Sequence, residues 1–275
     1  MSEYQHYEWL AIDRPLNHEQ LRAVQALSSH MDDATPTHAQ VTYSYGDFKH
    51  DPIKVLTSYF DAHLYTANWG NTCLAFRLPR AAVNADEIEA YSFTDHIQFE
   101  RKGDIYILSI EWDDEDGGDW VEVDGVLAQV AGVRQQIING DYRALYLAWR
   151  AFDERASEYD EGYDDGADEK RTPPPTPPGL DALNGSLKAF CDLFNIDKAS
   201  SKPPPKTASH STSLRQPNGA TPSARLSRER CDHYLLQLIK DGSPLGSVLR
   251  KELAPYLSQS SSAAPSPKKT KSRSK

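Results

Sequence analysis

The sequence has 275 residues, 39% of them apolar and 18 of them proline, an apolar share below the globular norm, so part of the chain is expected to build no core. Its net charge of −10 hides a polarity: residues 1–110 hold 8 basic against 15 acidic side chains, residues 111–169 hold 4 against 18, and residues 198–275 hold 15 against 4, the pattern of an acidic body with a basic tail. No run approaches the roughly 20 apolar residues of a membrane helix, no basic-then-apolar secretion signal opens the chain, and Cys73, Cys191 and Cys231 are too few and too scattered for a disulfide framework or a zinc knuckle, so a cytoplasmic protein with reduced thiols and no membrane association is expected.

Tyr7–Asp13 reads as a first strand, with Tyr7 and Trp9 alternating against polar neighbours. Pro15 ends it. Asn17 is placed to cap a helix over 18–29, with Gln20 returning the hydrogen bond and Leu21, Val24 and Leu27 as the apolar stripe. Residues 39–46 alternate and are rich in β-formers, which predicts a second strand. Asp51-Pro52 is a helix start, since Asp accepts from free N–H groups and Pro at the first helical position loses no hydrogen bond. Ile53, Leu56, Tyr59, Phe60, His63 and Leu64 then recur at helical spacing, predicting a helix to about residue 66. Strands are predicted at 72–79, 91–101 and 104–112, with a hairpin turn at Arg101-Lys102-Gly103-Asp104 and a short strand at 119–123. Helices fit 125–139 and 141–157, separated by Asn139-Gly140.

From Tyr159 the pattern changes. Acidic residues, Gly and Pro fill 159–179 with almost no aliphatic side chain, the composition of a linker. Residues 180–197 regain helical spacing through Leu180, Leu183, Leu187, Phe190, Leu193 and Phe194. A second linker spans 198–225, and a helical island spans 226–257 with Leu235, Leu236, Leu238, Ile239, Leu245, Val248, Leu249 and Leu253. A basic tail closes the chain at 258–275. The expected architecture is therefore an α+β domain over 1–158, with a mainly antiparallel sheet and packed helices. A largely disordered C-terminal half with short helical islands follows. Neither island is large enough to bury its own apolar face, so each is a candidate docking segment, with Leu180, Leu183, Leu187, Phe190, Phe194, Leu235, Leu238 and Leu249 as the contact residues.

Four stretches, YEWLAIDRPL (7–16), YGDFKHDP (45–52), YFDAHLYTANWG (59–70) and RLPR (77–80), together resemble an uncharacterised family of bacterial proteins. Residues 177–197 and 226–253 are similar to that family's later segments. The resemblance implies a shared pathway with a SWIM-type zinc-finger protein, whose gene often lies beside the family's own, and it implies no catalytic residue and no cofactor.

The acidic cluster at the end of the last predicted strand (Glu111, Asp113, Asp114, Glu115, Asp116 and Asp119) has the hard oxygen ligands that suit Mg²⁺ and metal-assisted hydrolysis, with Glu111, Asp113, Asp114 and Asp116 as candidate ligands. A solvated turn explains the same run. Lys49 and His50 flank a helix N-terminus able to attract an anion, although Asp51 as a cap, Gly46 as a turn and Phe48 as an anchor account for those residue types. Asp61 and His63, placed about 200° apart on a helix, do not face the same way. A Cys73–His63 pair would be the domain's nucleophile and base, against a reading of Cys73 as an inert buried thiol. Tyr43, Tyr45, Tyr59, Phe60, Tyr65 and Trp69 read as core rather than as a base-stacking surface, since residues 1–110 are net acidic. Lys268, Lys269, Lys271, Arg273 and Lys275 suit nucleic-acid phosphates without sequence preference, or equally the protein's own acidic 153–169 run. The common phosphate-loop, dinucleotide, nucleophile-elbow and H-E-x-x-H motifs are absent. A non-catalytic accessory or interaction protein is the leading expectation. The alternatives are a metal-dependent enzyme acting on nucleic acid through 111–119, and a nucleic-acid tether acting through the tail.

Overall fold

The computed structural model describes residues 3–31, 33–113, 125–160 and 171–197. The chain divides between Ser213 and Leu214, and all that follows belongs to the first unit. Six strands, β1 (Gln5–Leu10), β2 (His38–Tyr43), β3 (Ala62–Ala67), β4 (Asn71–Pro79), β5 (Ile97–Lys102) and β6 (Ile105–Asp113), form one sheet in the order β2-β1-β3-β4-β6-β5. Every neighbouring pair is antiparallel. The expected α+β class with an antiparallel sheet is what the chain adopts.

The sheet is covered on both faces. On one face α1 (His18–Gln25) and α2 (Pro52–Tyr59) cover a core of Tyr7, Trp9, Val24, Val41, Val55, Leu56, Phe60 and Ala75. On the other lie α3 (Ala85–Glu89), α4 (Val126–Val130), α5 (Gly132–Ile138), α6 (Arg143–Asp160) and α7 (Gly185–Leu193), whose core includes Leu64, Leu74, Phe76, Leu108, Ile110, Leu127, Phe152 and Phe190. Burial of that kind stabilises by about 1.5–3 kcal/mol per large side chain.

The capping signals hold. Asn17 accepts from the Glu19 and Gln20 amides while Gln20 returns a bond to the Asn17 amide, and Asp51 accepts from the amides of Ile53 and Lys54 ahead of Pro52. Gly103, at φ 63°, closes the β5–β6 turn, a conformation that favours glycine.

The structure corrects three expectations. The helix predicted to residue 66 stops at Tyr59, and His63 and Leu64 belong to β3. As an interior strand β3 is buried on both faces, so it lacks the alternation that marks a half-buried strand, and its apolar residues continued the helical spacing by coincidence. The helix predicted over 125–139 is two, α4 and α5, joined at Ala131. A Cβ at Gly132 would collide with Ser186, so the glycine permits close approach to α7. The boundary at residue 158 also moves, because α6 runs to Asp160 and α7 packs on α4, α5 and α6. The short strand predicted at 119–123, the 198–225 linker, the 226–257 island and the basic tail lie outside the described residues.

Candidate functional site

One end of the sheet gathers much of the polar chemistry read from the sequence. Glu111 and Asp113 occupy alternate positions of β6, opposite Cys73 and Asn71 of β4, so both lie on the α1/α2 face. Asn71 Nδ2 donates to Glu111 Oε1 at 3.3 Å. Gln5 is the hub of this end: its Oε1 accepts from the hydroxyls of Tyr7 (2.7 Å) and Tyr65 (3.0 Å). Its Nε2 donates to Asp47 Oδ1 (2.7 Å) and the Gly46 carbonyl (3.2 Å). Tyr45 and Trp69 leave the sheet at the same end and stay exposed. Asp114 and Asp116 lie outside the described residues. Among the described residues no three His, Cys, Asp or Glu side chains are grouped to hold a metal ion.

The remaining nucleophile and base candidates are held in neutral forms. Burial, helped by the nearby Glu111 carboxylate, pushes the Cys73 thiol up to about 12, so the reactive thiolate is scarce at neutral pH. His63 is stacked on Trp9, with ring centroids 4.8 Å apart, and lies 2.9 Å through Nδ1 from the Glu8 carbonyl. A carbonyl only accepts, so Nδ1 carries the proton. Burial holds this imidazole down to about 4. Asp61 is not a helical neighbour of His63: it precedes β3, and its Oδ2 accepts from the amides of Ile12 (2.7 Å) and Asp13 (2.8 Å).

The His63 environment predicts acid sensitivity. The folded state keeps His63 neutral, whereas the unfolded chain takes its proton near pH 6.5. The His63 contribution is therefore intact above that pH and is lost as pH falls from 6.5 towards 4, by about 3 kcal/mol in all. Urea unfolding at steps between pH 7 and 4 is expected to show this slope, and His63→Phe is expected to flatten it. An equal slope in the variant would exclude the assignment.

A third cluster has no precursor in the sequence reading. On the opposite face of β1 and β2, Glu8 Oε1 lies 2.9 Å from His38 Nε2, and Glu8 Oε2 lies 3.8 Å from His6 Nε2, too far for a hydrogen bond. His6 Nδ1 is 3.2 Å from Thr42 Oγ1. Burial raises the Glu8 pKa, but the two imidazoles outweigh it and the carboxyl sits below its ordinary value. The available sequence signal was the His-x-Glu spacing of a strand, which puts His6 and Glu8 on one face.

The Lys49-His50 segment settles on its structural role. The Asp51 carboxylate takes the first amides of α2, Gly46 turns at φ 89°, and Phe48 packs on Tyr7 and Trp9. The docking residues of the first island are likewise used internally. Leu180, Leu187, Phe190 and Phe194 are buried, at 4%, 0%, 0% and 3% exposure, and Leu183 packs against the same core. Arg143 Nη1 donates to the carbonyls of Gly179 and Ala182, and Arg155 Nη2 to those of Phe194 and Asn195. These side chains are covered by the protein's own helices, so the first island is core here and presents no docking face. Leu235, Leu238, Leu249, Lys268, Lys269, Lys271, Arg273 and Lys275 lie outside the described residues.

Among the described residues no helix is long and apolar enough to cross a membrane. Comparison with known proteins finds no matching family model, no matching curated protein and no matching solved structure.

Proposed function

We propose that this is a non-catalytic interaction protein, a rigid α+β body that carries a partner-binding segment at 226–257. The observation that supports this reading is the closure of the sheet: both faces are covered by helices from within residues 3–197. The body's core thus has its cover, and the ten Leu, Ile and Val side chains of 226–257 suit the helix-in-groove mode of recognition. The inert state of Cys73 and the internal bonding of His63 and Asp61 agree with a binding role. The resemblance noted above makes a SWIM-type zinc-finger protein the first partner to test.

The experiment is affinity capture of the tagged full-length chain from its native cells, with nuclease treatment and mass spectrometry. A stoichiometric protein is expected to survive nuclease, to drop by about tenfold or more on deleting 226–257, and to persist on deleting 265–275. A partner retained without 226–257 would refute the docking role. Loss on nuclease treatment would favour tethering through the basic tail, whose phosphate contacts weaken steeply with salt.

A further inference from the structure

The sheet has two edge strands, β2 and β5, and the sequence guards only one of them. β5 ends in Glu100-Arg101-Lys102, all exposed, and charged side chains of this kind discourage a further strand from pairing. β2 is His38-Ala39-Gln40-Val41-Thr42-Tyr43, without Asp, Glu, Lys, Arg or Pro. Its register on β1 runs unbroken from His38 opposite Leu10 to Tyr43 opposite Gln5, so no bulge turns the edge away.

Antiparallel pairing decides which backbone groups of β2 face β1. The Ala11 amide donates to the Thr37 carbonyl at 2.9 Å, in the same register as the strand pair. Hydrogen-bonded positions recur at every second residue, so Ala39, Val41 and Tyr43 bond to β1, while His38, Gln40 and Thr42 turn their N–H and C=O groups outward. The outward groups of His38 are taken by the preceding turn: the Thr35 amide donates to the His38 carbonyl at 2.8 Å, and the His38 amide donates to Thr35 Oγ1 at 3.0 Å. Among the described residues, the outward groups of Gln40 and Thr42 have no partner. Thr42 and the two residues after Tyr43 are exposed.

A second β2 fits this edge. A two-fold axis through Val41 places Gln40 opposite the partner's Thr42 and Thr42 opposite the partner's Gln40. Every outward N–H and C=O of these two residues is then paired. A register centred on Gln40 instead would set Thr42 against the partner's His38, whose groups the Thr35 turn already holds, so a single register is selected. On the α1/α2 face Val41 meets its own copy and Ala39 meets the partner's Tyr43, a small residue against a large one, with no like charges opposed. A lone extended peptide added here would present a new open edge of its own. An isologous pair closes on itself, and the sheets it joins end only in the charged β5 strands.

We propose that β2 is a homodimer interface, at which a second copy of this chain adds its own β2 antiparallel and continues the sheet across both copies. The proposal is independent of the docking role of 226–257.

The test is sedimentation velocity of the full chain over about 1–200 µM, where a reversible monomer–dimer equilibrium is expected. Gln40→Pro removes an outward N–H and leaves the β1 ladder intact, because an edge strand accepts proline where the N–H points away from the sheet. Symmetry repeats the lost bond in both copies, so dimerisation is expected to weaken about tenfold or more. Gln40→Ala keeps the N–H and is expected to dimerise like the unaltered chain. Amide hydrogen exchange of the unaltered chain needs no variant: the Gln40 and Thr42 amides are expected to slow as concentration rises. The Phe99 and Arg101 amides, which β5 turns outward, are expected to stay unchanged. A chain that is monomeric throughout, with exchange at Gln40 and Thr42 independent of concentration, overturns the proposal. A dimer that survives Gln40→Pro in a normally melting chain overturns it too, as does concentration-dependent protection at Phe99 and Arg101 in place of Gln40 and Thr42. If Gln40→Pro fails to fold, the exchange measurement decides alone.

Discussion

A chain ended after residue 158 is expected to fail to fold cooperatively, whereas one ended after residue 197 is expected to fold. The shorter chain holds all six strands and six of the seven helices, save the last residues of α6, and matches the boundary that composition suggests. It lacks Leu180, Leu187, Phe190, Cys191, Leu193, Phe194 and Ile196, all buried in the core that faces α4 and α6. At about 1.5–3 kcal/mol for each large buried side chain, their loss is comparable with the whole stability of a domain, about 5–15 kcal/mol. It would also uncover Leu127, Val130 and Phe152, the last stacked edge-on to Phe194. Phe190→Ala in the full chain tests the same contact locally, at an expected cost of about 3–5 kcal/mol. Thermal melts by circular dichroism, with a hydrophobic dye to report exposed core, decide the matter. A 158-residue chain that melts cooperatively within a few degrees of the 197-residue chain would show that α7 is an appendage.

The fold was most legible where short-range chemistry decides. Caps depend on a side chain and an amide two or three residues away, so Asn17 and Asp51 announced α1 and α2 directly. The Gly103 turn and strands β4 and β6 followed from alternation and a turn residue, whereas the strand read over 91–101 begins only at Ile97, after the short α3 that the sequence did not announce. β3 failed because its identity is set by position in the sheet: a strand between β1 and β4 buries both faces, and periodicity then loses its information. The first island failed for a related reason. Leu180 to Phe194 were correctly read as an amphipathic helix, but a pattern states that a face needs cover without saying what covers it.

The chemistry was legible only in part, because it depends on which strands become neighbours. Glu111 and Asp113 share a face by the two-residue period, which could be read directly. That Gln5, Asp47, Tyr65 and Cys73 join them required the order β1-β3-β4-β6. The His6–Glu8–His38 cluster required the β1–β2 register that sets His38 diagonal to Glu8. A contact that seats the proline-rich 171–179 stretch, the Tyr91 hydroxyl donating to the Pro175 carbonyl, also had no sequence signal. Proline-rich composition excludes helix and sheet, and a stiff extended segment can still bind an aromatic cleft.

Arg134→Ala is expected to destabilise the protein by about 3–5 kcal/mol, the range for breaking a buried ion pair by removing one partner. Arg134 is 1% exposed on α5, within the stretch that the sequence marks only as helix, 125–139. Its Nη1 and Nη2 donate to both Asp13 carboxylate oxygens, at 2.9 and 2.6 Å, and its Nε donates to the Arg77 carbonyl at 2.8 Å. Asp61 joins the group, accepting from Arg77 Nη1 at 3.0 Å and lying 3.7 Å from Arg134 Nη2. One guanidinium thus ties α5 to the chain after β1 and to β4, and its planar fork matches the carboxylate in a way that lysine cannot. Arg134→Lys should therefore recover only part of the loss. The Asp13 side chain retains 18% exposure, so water relieves some of its orphaned charge and places the cost nearer 3 than 5 kcal/mol. Removing both partners should cost clearly less than the sum of the single losses, because the second substitution takes away the carboxylate that the first left unpaired. Urea unfolding of the two single variants and the double variant measures that coupling. A loss below about 1 kcal/mol for Arg134→Ala, or strict additivity with Asp13→Ala, would show that the network fixes geometry without contributing stability.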